Sequence, residues 1–379
     1  MTSSETIVLG VPDFEPSVGG TTTQVALLGR NLRHRGREVV VVTRRRRPEW
    51  PRRERLGGLE IVRLGPTGRS AAGDKAAAVA LAGWLATRRP RPAVVQMTMW
   101  VDGLAAAGAA GLASRTIHVW GVAGEAQDVL RGWRARARAP VLRRSRHVAL
   151  SRPLRDELVA AGLQDVAVVP IAVDRARYRP PSEAERAEAR QAAGVAEDEL
   201  AVAYAGHLRS LKRLDLLVDA FARLVGEGTR ARLLLAGGDR GAPDDVGDEL
   251  RAQVERLGVA RQVAFLGVLD DPRPVLWAAD AVVLPSSREG MPNVLLEAMA
   301  CGVACVAPPS AGGEELLGGG AGLVPSSNDP GELLDALLRL AADPGERRAL
   351  GVRGAEQAAA HDVALVADAY ERLYAEVAR

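Results

Sequence analysis

The chain has 379 residues, of which 47% are hydrophobic and 26% are charged, a composition typical of a globular protein long enough for two domains. It contains no run of about 18 apolar residues, so the sequence predicts no membrane-spanning helix. The formal net charge of +3 conceals an asymmetry, because residues 1–180 hold 30 Arg or Lys against 15 Asp or Glu and the remainder holds 20 against 32. A basic first half and an acidic second half indicate different binding partners for the two halves.

Cysteine usage and the N-terminal residues bear on the compartment. The only cysteines, Cys301 and Cys305, flank a predicted helix-to-strand turn and lack the C-x-x-C spacing of a zinc site. We therefore expect two small buried thiols and no disulfide. The first six residues are polar and acidic, which is unlike a signal peptide. Together these features predict a cytoplasmic protein.

Short apolar strands alternate with helices along the first half of the chain. The pattern predicts a βαβ unit, in which a strand over Thr6–Gly10 leads to a helix capped by Thr21 and ended by Gly36, and then to a strand over 39–43. Further predicted strands cover 59–64 (as an edge strand), 93–97, 116–119, 147–150 and 166–169, and further predicted helices cover 74–87 and 152–161. The basic segment 44–55 is predicted to be a solvated loop.

Strands and helices alternate again after residue 200. Residues 178–199 are charged and are predicted to connect two domains. Predicted strands then cover 201–205, 232–236, 263–266, 281–284 and 303–306. One predicted helix ends near residue 225, and further predicted helices cover 292–300, 329–341 and 362–378. This alternation, found twice, predicts an α/β fold with two doubly wound domains. No G-x-G-x-x-G follows the first strand, which disfavours a nicotinamide dehydrogenase.

The segment 286–306 follows a buried strand and contains two glutamates, Glu289 and Glu297. Pro292 is predicted as the first residue of a helix, and Gly302 is predicted to end that helix. Glu289 then lies in a loop at the carboxyl end of a strand, and Glu297 lies about 7 Å along the helix axis. Helix N–H groups can hold phosphate, and carboxylates can accept hydrogen bonds from sugar hydroxyls. The pattern predicts a site for an anionic ligand that carries hydroxyls; a capped surface loop is the structural alternative.

These glutamates and their flanks, Ser-Arg-Glu-Gly-Met-Pro-Asn-Val-Leu-Leu-Glu-Ala-Met-Ala-Cys-Gly, resemble the E-x7-E signature of retaining glycosyltransferases, in particular glycosyltransferase family 4. The resemblance implies a GT-B type α/β fold, in which two doubly wound Rossmann-like domains face a central cleft. It implies an acceptor-binding domain over 1–174, a nucleotide-sugar-binding domain over 175–361, and a C-terminal helix, 362–379, that packs back onto the first domain.

The segment 206–213, Gly-His-Leu-Arg-Ser-Leu-Lys-Arg, resembles the diphosphate clamp of this family. Lys212 matches the clamp lysine and is one of only two lysines in the chain. His207 stands where the family has Arg, and a neutral imidazole is a poorer phosphate partner than a guanidinium. We expect either that Arg209 substitutes for that Arg or that His207 donates a single hydrogen bond, with Gly206 allowing close approach of the backbone.

The resemblance also implies roles for residues around the two glutamates. Glu289 would hold the donor sugar and Glu297 the ribose hydroxyls, while Lys212 and Arg209 would neutralise the leaving diphosphate. Other positions that match donor-binding segments of the family are Gly19, Gly20, Leu266, Gly290, Met291, Pro292, Asn293 and Val294. No Asp-x-Asp occurs in the chain, so we expect no metal, no cofactor, and a UDP- or GDP-linked sugar as donor.

His118 is the candidate for a further catalytic residue. Many members of this family carry a His at the end of the strand matching 116–119, or in its loop, facing the reacting sugar. Here Val-Trp-Gly follows His118, whereas the family has Gly directly after the His. A hydrogen-bonded core histidine is the structural alternative, and Glu125 and Asp128 in the next loop are rival polar groups.

Residues 131–146, which begin with Arg131 and end with Arg146, hold seven arginines interleaved with Trp133 and Leu142. This pattern fits either a solvated helix or a surface that rests on anionic lipid headgroups at the cytoplasmic face of a membrane. Nucleic acid is disfavoured as a partner, because no known binding motif accompanies the charge.

The sequence therefore predicts a hexosyltransferase-type glycosyltransferase that moves a sugar from a nucleoside-diphosphate sugar to an acceptor hydroxyl. Glycolipid, polysaccharide or glycosylated-metabolite biosynthesis is the expected setting. One alternative is a nucleotide-sugar epimerase of the same architecture, which would form product without an acceptor. The other is a non-catalytic nucleotide-sugar-binding protein, which would bind the donor without turnover.

Overall fold

A computed structural model describes residues 5–17, 19–68, 70–121, 138–238, 244–286, 289–309 and 313–378. The chain divides into two compact units, one of Met1–Ala172 with His361–Arg379 and one of Val173–Ala360. These boundaries lie within two residues of the expected ones, 174/175 and 361/362. No helix of the described part is both long and apolar enough to cross a membrane.

The first unit is built on an eight-stranded sheet in the order β3-β4-β2-β1-β5-β6-β7-β8. Its strands are β1 Thr6–Gly10, β2 Glu38–Arg44, β3 Arg53–Leu56, β4 Leu59–Leu64, β5 Val94–Thr98, β6 Thr116–Trp120, β7 Arg146–Ala149 and β8 Val166–Val168. All neighbours pair in parallel except β3 and β4, and Val8 in β1 lies between Val40 and Val95. The central strands β1, β5 and β6 are buried along their whole length because helices cover both faces.

Helices of the described residues and a returning C-terminal helix cover this sheet. They include α1 Gly20–His34, α2 Ala71–Thr87, α3 Val101–Ala109 and α4 Arg152–Ala160. The C-terminal helix, Val363–Val377, packs against α1, where Nε of Arg37 lies 2.7 Å from Oε1 of Glu371. The hydroxyl of Tyr374 donates a 2.6 Å hydrogen bond to Oε1 of Gln96 in β5. The last residues of the chain therefore belong to the first unit.

The basic segment 44–55 differs from the prediction of a solvated loop. Its last residues form β3, which pairs antiparallel with β4 through Gly57 and Gly58. Both glycines have positive φ, 55° and 81°, as a two-residue hairpin turn requires. β4 is therefore not the edge strand, and the charged residues of β3 suit an edge because they discourage pairing with another chain.

The second unit is built on a five-stranded parallel sheet in the order β11-β10-β9-β12-β13. Its strands are β9 Leu200–Ala205, β10 Ala231–Ala236, β11 Val263–Gly267, β12 Ala281–Val283 and β13 Ala304–Val306, and its helices are α5 Glu183–Ala192, α6 Leu214–Gly226, α7 Gly247–Arg256, α8 Arg273–Ala278, α9 Asn293–Ala300, α10 Gly313–Leu317, α11 Pro330–Ala342 and α12 Pro344–Ala358. Cys301 and Cys305 are buried free thiols, as predicted.

The residues 178–199, expected to connect the domains, contain α5 and belong to the second unit. Nη2 of Arg186 lies 2.8 Å from Oδ1 of Asp280, and Nη1 of Arg190 lies 3.0 Å from Oδ2 of the same carboxylate. Asp280 also accepts a 2.8 Å hydrogen bond from the backbone N–H of Ala201. One partly buried carboxylate thus fastens α5 to the sheet.

Candidate functional site

Three glycines meet at the carboxyl edge of the second sheet. Gly206 follows β9, Gly237 follows β10, and Gly267 is the last residue of β11; their φ angles are 152°, 139° and 69°. The N–H of Gly237 donates to the carbonyl of Gly267 at 2.7 Å. A Cβ added to Gly237 would lie 1.7 Å from the carbonyl oxygen of Gly206. Glycine lets these backbones touch at the edge where open α/β sheets bind their ligands.

Lys212 and Glu289 meet directly at this edge. Lys212 ends a single turn of 3-10 helix, Ser210–Lys212, and Oγ of Ser286 donates a 3.2 Å hydrogen bond to the carbonyl of Leu211 in that turn. Nζ of Lys212 lies 2.5 Å from Oε1 of Glu289. The fold therefore joins the residues predicted to bind phosphate and sugar into one ion pair.

Arg209 has a carboxylate partner in the structure. Its Nε lies 2.9 and 2.8 Å from the two carboxylate oxygens of Asp244, and this contact lowers the pKa of Asp244. The backbone holds the two segments together, since the N–H of Ser210 donates to the carbonyl of Asp244 at 3.0 Å. Arg209 can bind a phosphate only by exchanging or sharing this partner.

His207 lies on the same loop, where its backbone carbonyl accepts a 2.8 Å hydrogen bond from the hydroxyl of Tyr204. Its imidazole is half-buried. The tyrosine, which the sequence did not single out, is almost fully buried, and it fixes the course of the loop that precedes Lys212.

The helix after the first glutamate begins one residue later than expected. Pro292 has extended backbone angles, φ −81° and ψ 117°, and precedes α9, which begins at Asn293. The predicted donor-binding residues around it are buried (Gly290, Met291, Pro292) or half-buried (Asn293, Val294, and Leu266 in β11). Gly302, with φ 73°, follows the end of α9, as predicted.

Glu297 lies in the middle of α9, in surroundings different from those of Glu289. Desolvation raises the pKa of its carboxyl to about 7, against the opposing effects of the Arg177 guanidinium and a hydrogen bond from Tyr178. Asp271 adds to the rise in this pKa and also pairs with Arg177, whose Nη2 lies 3.3 Å from Oδ1 of Asp271. Sequence reasoning missed this group, although Tyr178 comes only four residues after the predicted domain boundary at residue 174.

His118 does not lie at a strand end. It is the middle residue of β6 and has no exposed surface. Its ring packs edge-on against Trp120 with centroids 4.5 Å apart, and burial and nearby His147 lower its pKa to about 3. Among the described residues neither ring nitrogen has a hydrogen-bond partner. The expectation that His118 faces a reacting sugar from a strand end or loop is therefore wrong for this structure; its rivals Glu125 and Asp128 lie outside the described residues.

The predicted donor-binding residues Gly19 and Gly20 lie where a loop leads directly into α1. Gly19 has extended backbone, and Gly20 is the first helical residue. Thr21 therefore does not cap the helix, contrary to the prediction. Its hydroxyl instead donates to Sδ of Met99 at 3.2 Å, and Met99 follows β5 with a positive φ of 49°. The loop is thereby held against the carboxyl edge of the first sheet.

A polar cleft of about 350 Å³ lies at the same edge of the first unit. Its lining residues are Asp13, Arg44, Arg46, Ser70, Ala71 and Asp74. Arg46 contacts Asp13 through both Nε and Nη2, and Arg44 contacts Asp74. The side chains of Arg44 and Arg46 are only 10% and 11% exposed, whereas those of their partners Asp74 and Asp13 are 33% and 34% exposed. The cleft thus exposes two carboxylates, each of which is paired with a more deeply buried guanidinium group.

Residues 131–137 of the predicted lipid-facing segment, including Arg131, lie outside the described residues. Of the rest, Arg143 and Arg144 are exposed. Nη2 of Arg146 lies 2.9 Å from Oε2 of Glu376 in the C-terminal helix, so Arg146 has a role within the fold. In the described part of the chain, no group of three or more His, Cys, Asp or Glu side chains is placed to hold a metal ion.

Two family models match the chain, one in each half. The model described as Glycosyltransferase Family 4 matches residues 18–177, and the model described as Glycosyl transferases group 1 matches residues 199–343. A D-inositol 3-phosphate glycosyltransferase of Actinosynnema mirum is 40% identical over 203 residues, 51% of this chain and 47% of that protein. The enzyme of the same name from Corynebacterium jeikeium is 33% identical over 221 residues, 56% and 52% of the two chains. The chain thus spans about half the length of the curated relatives it matches.

Solved structures resemble the chain over nearly its whole length. A sucrose-phosphate synthase from Thermosynechococcus elongatus has a TM-score of 0.83 at 22% identity, covering 98% of this chain and 99% of that one. Anabaena Alr3699/HepE, solved in complex with UDP-glucose, has a TM-score of 0.79 at 20% identity, covering 97% and 99%. These likenesses show that the fold is the two-domain α/β fold of GT-B type.

Proposed function

We propose that the chain is a member of glycosyltransferase family 4, whose model matches residues 18–177, and that it transfers a sugar from a nucleoside-diphosphate sugar to an acceptor hydroxyl with retention of configuration. The bond between the anomeric carbon and the diphosphate oxygen breaks, and a bond from that carbon to the acceptor oxygen forms on the same face. The acceptor hydroxyl gives its proton to the departing diphosphate oxygen, and the nucleoside diphosphate leaves.

The observation that supports this proposal is the Lys212–Glu289 ion pair at the carboxyl edge of the second sheet. Lys212 supplies a positive charge where the leaving diphosphate gains negative charge, and such electrostatic stabilisation is usually the largest catalytic contribution. The N–H groups at the start of α9 add hydrogen-bond donors and the positive end of a helix dipole. Glu289 accepts hydrogen bonds from the donor sugar, and Glu297 accepts them from the ribose.

Arg209 and His207 serve the phosphates as secondary partners in this proposal. Arg209 neutralises the diphosphate after exchanging or sharing Asp244, a half-exposed carboxylate whose pairing with Arg209 is weakened by solvent screening. The imidazole of His207 donates one hydrogen bond. Gly206 has no side chain, so a phosphate can approach the backbone of this loop closely.

The acceptor class follows from the relatives and from the first unit. Two relatives are named for inositol 3-phosphate, and HepE was solved with UDP-glucose, so we propose a UDP- or GDP-linked donor and a ring polyol or sugar as acceptor. The cleft that contains Asp13 and Asp74 suits hydroxyl groups, because guanidinium-bound carboxylates accept charge-assisted hydrogen bonds. We further propose action in the cytoplasm, at a membrane surface where Arg143 and Arg144 meet anionic lipid.

Calorimetric titration with UDP, GDP and ADP tests the donor site, and Lys212→Ala serves as the matched variant. We expect one nucleotide to bind selectively and the variant to lose at least tenfold in affinity. Absence of binding to all three would refute the donor site. Incubation of the matching nucleotide sugar with polyol and sugar acceptors then tests transfer. Product formed without an acceptor would indicate an epimerase, and binding without any turnover would indicate a non-catalytic binding protein.

A further inference from the structure

The Lys212–Glu289 ion pair is shielded from water and short. The lysine side chain is 24% exposed and the glutamate side chain 12%, with 2.5 Å between Nζ and Oε1. Exposed ion pairs are weak because water screens them, whereas a pair at this depth interacts more strongly. Any ligand that reaches Lys212 therefore also meets the negative charge of Glu289.

The fold holds the two charges together from both sides. Ser286 at the end of the strand and Leu211 in the turn before Lys212 share a hydrogen bond, so the loop and the turn are fastened close to the pair. Arg213, directly after the turn, has a positive φ of 51°, which ends the turn and starts α6. Residues 77 positions apart in the chain thus present one mixed-charge site.

The donor and the spent nucleotide differ in charge at this point. In a nucleoside-diphosphate sugar both phosphates are esterified, and the terminal phosphate carries one negative charge. In the free nucleoside diphosphate that phosphate is a monoester, whose second proton is lost near pH 6, so it carries up to two charges at neutral pH. The additional charge lies where the sugar was attached, which is the region assigned to Glu289. Like charges so placed repel each other.

The sugar-linked ligand avoids this repulsion. Its hydroxyls can donate hydrogen bonds to Glu289 and so replace the bond that Lys212 gives up when it turns to the phosphates. No buried charge is then left without a partner, which is the condition under which rearranging a shielded ion pair costs little. The free diphosphate offers Glu289 no donor.

We propose that Glu289, held against Lys212, makes the site select the sugar-linked donor over the free nucleoside diphosphate that transfer leaves behind. This inference rests on the proposed function, and it adds a specificity role to Glu289 beyond holding the sugar. After transfer, the negative charge of Glu289 therefore repels the free nucleoside diphosphate and favours its release.

The test compares two dissociation constants, one for the nucleoside diphosphate and one for its glucose ester, by calorimetry near pH 7.5 and at low salt. In Glu289→Gln we expect the nucleoside diphosphate to bind about fivefold more tightly, because a neutral amide no longer repels it. The glucose ester should bind no more tightly than to wild type. The dissociation constant of the nucleoside diphosphate divided by that of its glucose ester therefore falls about fivefold.

The control is Glu346→Gln. Oε2 of Glu346 lies 2.8 Å from Nε of Arg339, between α11 and α12 of the same unit, and the glutamate and arginine side chains are 19% and 61% exposed. This variant removes the same charge from a more exposed ion pair of the same unit and should leave the ratio unchanged. An unchanged ratio in Glu289→Gln, equal tightening of both ligands, or the same change in the control overturns the inference. If wild type binds neither ligand, the proposed function itself is refuted.

Discussion

Glu297 should make donor affinity depend on pH near neutrality. Desolvation raises the pKa of its carboxyl to about 7, so both protonation states are populated at neutral pH. Ribose hydroxyls donate hydrogen bonds to the ionised form, and binding therefore lowers this pKa and releases a proton. The sign follows directly: affinity is full above the pKa of the free site and is lost as the pH falls through about 7.

The structure sets the size of the effect. For a group with a pKa of about 7, the ionised fraction falls from about nine tenths at pH ~8 to about one tenth at pH ~6. If only the ionised carboxylate accepts both hydroxyls, affinity falls about tenfold, or about 1.4 kcal/mol. Tyr178 and Arg177 both lower this pKa, so Tyr178→Phe should move the midpoint to a higher pH.

The assay is calorimetric binding of the nucleotide sugar that wild type selects, measured at several pH values between about 6 and 8. A nucleotide sugar is the correct probe because its esterified phosphates keep the same charge over this range. Glu297→Gln should bind weakly with no such slope, and Glu346→Gln should keep it. A flat profile in wild type, or the same slope in Glu297→Gln, would show that Glu297 does not hold the ribose.

Thermal unfolding gives a second measure of the same carboxyl. Its folded-state pKa of about 7 lies above the ordinary value of 4.5, so the folded protein binds the proton more tightly than the unfolded chain. Stability is therefore lost as the pH rises from 4.5 to about 7. Glu297→Gln should raise the unfolding temperature at pH ~8 and change it little at pH ~4. Equal shifts at both pH values would contradict the assigned pKa.

Three further changes test other parts of the structure. Gly237→Ala should cost about 3 kcal/mol or more in urea unfolding and abolish nucleotide binding, because its Cβ would meet the carbonyl of Gly206; wild-type stability would refute this close approach. His118→Phe should keep transfer activity and lessen the loss of stability that wild type shows as the pH falls from 6.5 towards 3, whereas loss of activity in a folded variant would restore a catalytic role. Replacing Arg143 and Arg144 with Ser should weaken binding to anionic liposomes at unchanged melting temperature, and undiminished binding would remove these arginines from the membrane proposal.

The regular elements were predictable where hydrophobicity alone decides them. β1 and β2 are almost entirely apolar because their sheet is covered on both faces. A short run of Val, Ile and Leu therefore predicts a buried strand. α5 was missed because Glu, Arg and Ala dominate its sequence, which reads equally well as a solvated connection. What makes it part of a unit is the pairing of Arg186 and Arg190 with Asp280, and sequence spacing of about 90 residues carries no signal for such a contact.

The candidate site shows the same limit at the level of single side chains. The spacing of Glu289 and Glu297 located a loop and a helix correctly, but it could not show that one carboxylate meets Lys212 while the other is desolvated beside Tyr178. The prediction that His118 lies at a strand end was wrong for a related reason. Side chains alternate faces along a strand, and in β6 both faces are buried, so no polar periodicity marks which residue reaches the surface. Backbone position follows from local pattern, whereas the charge state of a site depends on contacts between segments far apart in the chain, and those contacts decide whether a carboxylate binds a ligand, repels it or titrates.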